Sequence, residues 1–298
     1  MKQRSLSDVF MDKLLSEYKV LTDYVKTDDT LDMEFRGKEV MVYYRGGRLL
    51  TLSESGIFTP LDKNYGEVCS LNLMNLEEYI PKAKRLMDKY QINVKKNNEK
   101  EISQRIIMEN NYSPYSNDTD YFIVDMEYSH GDKKDKKYQF DLIGIKWPST
   151  KVDRKKLNFK IVVIETKRGL RTLRSGSQNP GLKTHYEDFM SFLRCKDFKA
   201  ISNDMAKIFC QKCELGLVRI NERSEEIKRN SEFKLADDAE FIAILANYKA
   251  ASSNLSNELN ELSDDADIKF AKSNYMGYGL YRSSIYSLSE IKNNLKNQ

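Results

Sequence analysis

The sequence predicts an α/β protein, a mixed β-sheet flanked by helices, with a smaller α+β unit ahead of it. Three observations carry this prediction. Strand-like segments at 121–128, 138–147 and 159–166 follow one another closely behind a helical pattern at 98–110. One of them, through Ile161, Val162, Val163 and Ile164, is apolar on both faces, as a strand covered from both sides must be. A polar run, Lys95-Lys96-Asn97-Asn98-Glu99-Lys100, separates the set from residues 1–95, where the rhythm differs. The boundaries that follow are an accessory α+β region at 1–95 and a larger domain at 96–298.

In the first region a helix is expected from near Ser5, with Asp8 as capping-box partner and Leu14, Tyr18, Leu21 and Val25 as its apolar stripe. Residues 38–52 read as a hairpin, because Val40, Val42 and Tyr44 alternate before Gly46-Gly47 and Leu50 and Leu52 follow. A second helix over 75–90 places Leu76, Ile80, Ala83 and Met87 on one side. In the larger region the polar basic loop 148–158 separates the second strand from the third, and an Arg-, Ser- and Gly-rich loop at 169–181 follows the third. A long helix from 181 carries Tyr186, Phe189 and Leu193, 240–248 reads as a buried strand, and 268–285 as one or two more.

Composition excludes several classes. A chain of 298 residues, 40% hydrophobic and 32% charged with 18 Tyr and 13 Phe, is neither disordered nor fibrous. It holds no run of about 20 apolar residues for a membrane span, and Asp8 and Asp12 stand where a signal peptide needs an apolar stretch. Cys69, Cys195, Cys210 and Cys213 are too few and too scattered for a disulfide framework, so a cytoplasmic location is expected. Cys210-x-x-Cys213 lacks the second pair of a structural zinc site and reads as core. The Gly46-Gly47 and Gly277-x-Gly279 pairs read as turns.

Charge is unevenly spread. Between Lys133 and Lys183 stand fifteen Lys or Arg and four acids, a net +11 that leaves −7 for the rest of a chain totalling +4. A basic middle in an acidic remainder is what a phosphate backbone attracts, although a solvated loop face would look the same. In the third strand Glu165 and Lys167 share a face with Ile161 and Val163, since strand side chains alternate. In the second, Asp141 shares a face with Ile143 and Ile145. If the two strands are neighbours, the carboxylates meet at the edge of a core and repel unless one is protonated or a cation lies between them. A hard divalent cation suits such oxygen ligands, and Lys167 beside it suits phosphoryl chemistry.

Asp141 followed by a strand ending in Glu165-Thr166-Lys167 resembles the metal-binding motif of the PD-(D/E)XK nucleases, the restriction-endonuclease-like superfamily. Glu-x-Lys alone says little, because it recurs at Glu17, Glu226, Glu232 and Glu290; only Glu165 ends an apolar strand with an acid-bearing strand 24 residues earlier. Phe140 replaces the name-giving proline. The resemblance covers the middle half to two-thirds of the chain and implies a core of a helix, three antiparallel strands, a helix and a further strand, over about 98–248. It further implies Mg²⁺ or Mn²⁺ held by Asp141, Glu165 and an acid of the preceding helix. That acid is Glu101, with Glu109 a competitor and a merely solvated Glu101 the plain alternative. Lys167 would serve the attacking water. His185 and Tyr186 match the polar or aromatic pair of the following helix, although Tyr186 also falls in a core stripe with Leu182, Phe189 and Leu193. Arg168, Arg171, Arg174, Lys183, Lys155 and Lys156 would track phosphates.

The expected function is therefore a Mg²⁺-dependent endonuclease acting on nucleic acid, DNA before RNA, of restriction, phage-defence or repair type. A homodimer or a partner protein is compatible with double-strand cutting. The rival reading from another class is a non-catalytic nucleic-acid-binding or assembly protein with the same fold. A strand-end salt bridge in an unrelated α/β protein is the third.

Overall fold

A computed structural model of the chain describes residues 3–67, 70–94, 99–112, 118–131, 137–168, 181–220, 226–246, 253–273 and 277–296. The smaller unit begins with α1 (Asp8–Leu15), whose N-cap Ser7 accepts a hydrogen bond from the Phe10 amide. The one expected helix is two. The Ser16 and Tyr18 amides both turn back to the Lys13 carbonyl, which ends α1, and α2 (Lys19–Thr27) begins after the break. Leu14, Tyr18, Leu21 and Val25 are nonetheless all buried, so the stripe survives the break.

Next come β1 (Leu31–Phe35), β2 (Glu39–Tyr44), β3 (Gly47–Ser53) and β4 (Phe58–Thr59), an antiparallel sheet in that order. Arg45 and Gly46 both take left-handed φ angles, 50° and 74°, as the two-residue hairpin between β2 and β3 demands. The strand β1, Leu-Asp-Met-Glu-Phe, was not legible as such because two of its five buried residues are acids. α3 (Leu76–Val94) covers the sheet with Leu76, Ile80, Ala83 and Met87, as the periodicity predicts.

The larger part opens with α4 (Glu99–Asn111), followed by β5 (Tyr121–His130), β6 (Tyr138–Lys146) and β7 (Asn158–Arg168). After α5 (Leu182–Leu193) and α6 (Phe198–Glu214) come β8 (Lys234–Ala246), α7 (Ser253–Asn260), β9 (Ile268–Ser273), β10 (Ile285–Ser287) and α8 (Leu288–Lys296). The six strands lie in the order β10-β9-β8-β7-β6-β5. β5, β6 and β7 are antiparallel, β7–β8 and β8–β9 parallel, and β9–β10 antiparallel. Each parallel pair is joined through helices, the crossover that parallel pairing requires. The chain is thus mixed α/β: a four-stranded antiparallel sheet and a six-stranded mixed sheet flanked by helices.

An aromatic cluster knits that sheet to α6. Phe209 lies 5.1 Å from Phe159, 5.5 Å from Phe122 and 6.0 Å from Trp147, centroid to centroid. Cys210 and Cys213 belong to the same buried face of α6 and are free, and burial pushes the Cys210 thiol up to about 12. Arg154 lies in the core layer too, its guanidinium 4.5 Å from the Trp147 ring centroid. None of the described helices is long and apolar enough to cross a membrane.

Candidate functional site

β6 and β7 pair antiparallel with Leu142 opposite Ile164. One step further along that register sets Asp141 beside Glu165. There the ladder changes character: the Asp141 Oδ2 atom accepts a 2.8 Å hydrogen bond from the Thr166 amide. A side-chain carboxylate takes the place of a carbonyl, which parts the strands and leaves Asp141 and Glu165 at the opening. Apolar residues at 161–164 drive β7 into the core, and period-2 alternation carries Glu165 and Lys167 on one face to its end. Glu165 is 2% exposed and Lys167 7%.

The electrostatics follow from that burial. Burial, reinforced by the Asp141 charge and opposed by Lys167, pushes the Glu165 carboxyl well above the usual carboxylate range. Burial also raises Asp141, although the Thr166 amide and Lys167 pull it down. A third acid joins them from α4: burial and then Asp141 raise the Glu99 carboxyl, with Lys167 and Arg168 opposing. One oxygen of Glu165 and one of Glu99, Oε1 in each case, are buried with no hydrogen-bond partner among the described residues. From α5, the His185 Nδ1 lies 3.3 Å from the Glu165 Oε2.

The structure therefore brings together Asp141, Glu165, Lys167 and His185. Glu101 it places elsewhere. Its carboxylate sits between Arg45 and Arg105, 2.8 Å from the Arg105 guanidinium. Residues two apart on a helix point to nearly opposite sides, and α4 presents Glu99 to Asp141 instead. Glu99 lies within the polar run read as a boundary, and a carboxylate at the start of the helix leading into the first strand is the signal that could have found it. Glu109 bonds Tyr281 at 2.7 Å, away from the strand opening. Tyr186 packs its ring on Phe241 and accepts a hydrogen bond from the Asp267 amide, so it fastens α5 to the sheet.

Two further residues border the site. Glu127 of β5 stands opposite Asp141, takes a left-handed φ of 56°, and ion-pairs with Lys100, the neighbour of Glu99. Asp188, one turn beyond His185, adds negative potential at Glu165. Among the predicted phosphate contacts, Arg168 lies at the strand end and interacts with Glu99, and Lys183 is exposed in the first turn of α5. Arg171 and Arg174 lie outside the described residues. Lys155 and Lys156 are exposed just before β7 begins. At about 3.3 Å per residue of strand, that is at most about 30–33 Å along the chain from Glu165 and at the opposite end of β7, so the loop 148–158 does not border the carboxylates.

Hard oxygen donors in a low-dielectric setting suit Mg²⁺ or Mn²⁺ in kind. Among the described residues no three His, Cys, Asp or Glu side chains converge as a ready-made ligand set. Comparison of the chain with protein-family models, with curated proteins and with solved structures gave no match in any of the three.

Proposed function

We propose that the chain is a divalent-metal-dependent nuclease of the restriction-endonuclease-like type, hydrolysing phosphodiester bonds of nucleic acid, DNA before RNA. One observation carries this reading: a fully buried Glu165 with an unpartnered oxygen, set beside Asp141 at a strand opening, with Lys167 on the same strand face. The succession α4, β5-β6-β7, α5, α6, β8 supports it, being the core that the sequence resemblance implies with one helix more before the last strand.

Asp141, Glu165 and Glu99 are the residues that would hold Mg²⁺ or Mn²⁺. When bound, the ion neutralises the carboxylates and polarises the scissile phosphate and the attacking water. The chain's own groups do the rest. Lys167 places an ammonium beside Asp141 and Glu165, where it orients the attacking water and offsets the charge that develops on the phosphate. His185 fixes the Glu165 carboxylate through Nδ1, and Arg168 and Lys183 present cations to the phosphates flanking the cut.

Cleavage of supercoiled plasmid, single-stranded DNA and RNA with Mg²⁺, Mn²⁺ or EDTA tests the proposal, with Glu165→Gln and Lys167→Ala as controls. Metal-dependent cutting lost in both variants supports it. Cutting that survives both variants, or EDTA, overturns it. A second reading, a non-catalytic nucleic-acid-binding protein, draws on the lack of a preformed ligand trio among the described residues. It predicts salt-sensitive binding to nucleic acid with no cleavage and no dependence on metal.

A further inference from the structure

β5 is the last strand of the six-stranded sheet and β1 the last of the four-stranded one. Two sheet edges therefore meet, each with backbone groups that need partners. They are joined by side chains, not by a ladder. The Glu34 Oε2 of β1 accepts a 3.0 Å hydrogen bond from the Met126 amide, and the Arg36 guanidinium, just past β1, donates 2.7 Å to the Met126 carbonyl. Both main-chain groups of one residue on the edge strand are held by the N-terminal unit.

The clamp is itself anchored. The Lys212 ammonium of α6 lies 2.7 Å from the Glu34 Oε1, and both side chains are fully buried. Arg36 and Arg4 converge on the buried Asp125 at 2.8 and 2.7 Å. Met126 pairs with Leu142 across β5–β6, so the next residues along the two strands are Glu127, with its left-handed φ, and Asp141. Where Asp141 sits decides whether its Oδ2 meets the Thr166 amide and lies beside Glu165.

From this geometry we infer that Glu34 and Arg36 are positioning residues. By gripping the Met126 main chain, they hold the β5–β6 pair so that Asp141 spans to β7, and the N-terminal unit is a working part of the site. The inference rests on the nuclease reading for its functional consequence, not for its geometry.

The Thr166 amide is the reporter, because it donates to Asp141 itself. Native-state hydrogen exchange is measured on the full chain, with the Ile242 and Ile244 amides of β8 as reference. Arg36→Lys keeps the charge beside Asp125 but gives up the fork that reaches the Met126 carbonyl. Its Thr166 protection is expected to fall at least about tenfold relative to the β8 amides. Arg4→Gln removes a contact to Asp125 without touching Met126 and is expected to leave that ratio unchanged. Glu34→Gln keeps an acceptor for the Met126 amide and is expected to fall between the two.

A Thr166 loss no greater than that at Ile242 and Ile244, or the same loss in Arg4→Gln, overturns the inference, since general destabilisation would explain it. Cleavage assays separate this from the nuclease reading. In an active enzyme, Arg36→Lys should lower kcat with KM little changed. A wild type that never cuts, but whose Thr166 amide responds to Arg36→Lys, keeps the clamp and removes the nuclease. An enzyme whose Thr166 amide does not respond keeps the nuclease and removes the clamp.

Discussion

Glu165→Gln should stabilise the protein while abolishing its chemistry. The native carboxyl is buried beside Asp141, one of its oxygens has no partner, and burial raises it well above the usual carboxylate range. The sign follows from proton linkage. A carboxyl raised in the folded state binds its proton more tightly there than in the unfolded chain. Its contribution is therefore complete below the ordinary glutamate range and is lost as pH rises toward the folded value. An amide of the same shape carries no charge to desolvate and does not repel Asp141. Relieving the desolvation of one under-satisfied buried carboxylate is worth about 1–3 kcal/mol. For a chain of this length, with about 2 cal/mol/K of unfolding entropy per residue, that is roughly 2–5 °C in Tm. Thermal unfolding of wild type and Glu165→Gln from pH 5 to 8.5 should show the two curves close together at acid pH and apart at pH 8. Adding Mn²⁺ at about a hundred times its Kd should raise wild type by up to about 2.7 kcal/mol and leave the variant behind. If Glu165→Gln melts below wild type at pH 8, or the gap does not depend on pH, the carboxyl is a satisfied structural acid and the reasoning fails.

Asp32 gives a second pH dependence at the other charge cluster. Burial pushes it up to about 7, with Lys212 opposing and Glu34 reinforcing. Wild-type stability should therefore fall between about pH 4 and pH 7, by an amount on the order of 2–4 kcal/mol. Asp32→Asn should remove that loss, as urea unfolding at pH 5 and pH 8 would reveal. Lys212→Met, which strands the buried Glu34, should cost about 3–5 kcal/mol and roughly 5–8 °C in Tm. Replacing Glu34 by Leu in the same chain should recover only part of it, because the Met126 amide then loses its acceptor. Glu99→Gln should weaken Mn²⁺ binding by calorimetry at least about tenfold, a loss of 1.4 kcal/mol, and Glu101→Gln should not. Equal loss in the two variants would mean that α4 contributes through its fold alone.

The sequence made Asp141, Glu165 and Lys167 visible because strand alternation fixes which residues share a face, and an apolar strand that ends in charges is conspicuous. The β7 run and the stripe Leu14, Tyr18, Leu21 and Val25 were legible for the same reason: burial leaves a period. The identity of the α4 acid was not, since the sequence offered Glu101 and Glu109 and the structure presents Glu99. A helix turns about 100° per residue, so naming the acid that faces the strands requires the phase of α4, which only its packing against β5 sets. β1 stayed hidden for the opposite reason. Its Asp32 and Glu34 are inside the protein, where patterning reads acids as surface. Their partners Lys212 and Arg36 come from α6 and the end of β1, and no local window joins 34 to 212. Arg154, one of the fifteen cations of the basic middle, shows the same long-range dependence: Trp147 and Phe122 lie against its guanidinium, which no local window reveals.

These two charge clusters bear on each other. In the N-terminal cluster, Glu34 and Asp125 are met by Arg4, Arg36 and Lys212 and each accepts short bonds, while Asp32 keeps one buried oxygen without a partner among the described residues. Two of its three buried carboxylates are thus satisfied by cations and a backbone amide. At the strand opening burial and then Asp141 raise the carboxyls of Glu99 and Glu165 against the opposing Lys167, and each of those two glutamates keeps one buried oxygen without a partner among the described residues. Such an imbalance costs stability at every pH where the acids ionise, and mutation would readily relieve it, since one Gln suffices. Acids left unbalanced at a strand opening fit a site whose missing charge arrives from solution. The link between the two clusters is the Met126 main chain, gripped by Glu34 and Arg36 and paired one residue away from Asp141. The Glu34–Arg36 grip is therefore the support on which the acids at the strand opening are held.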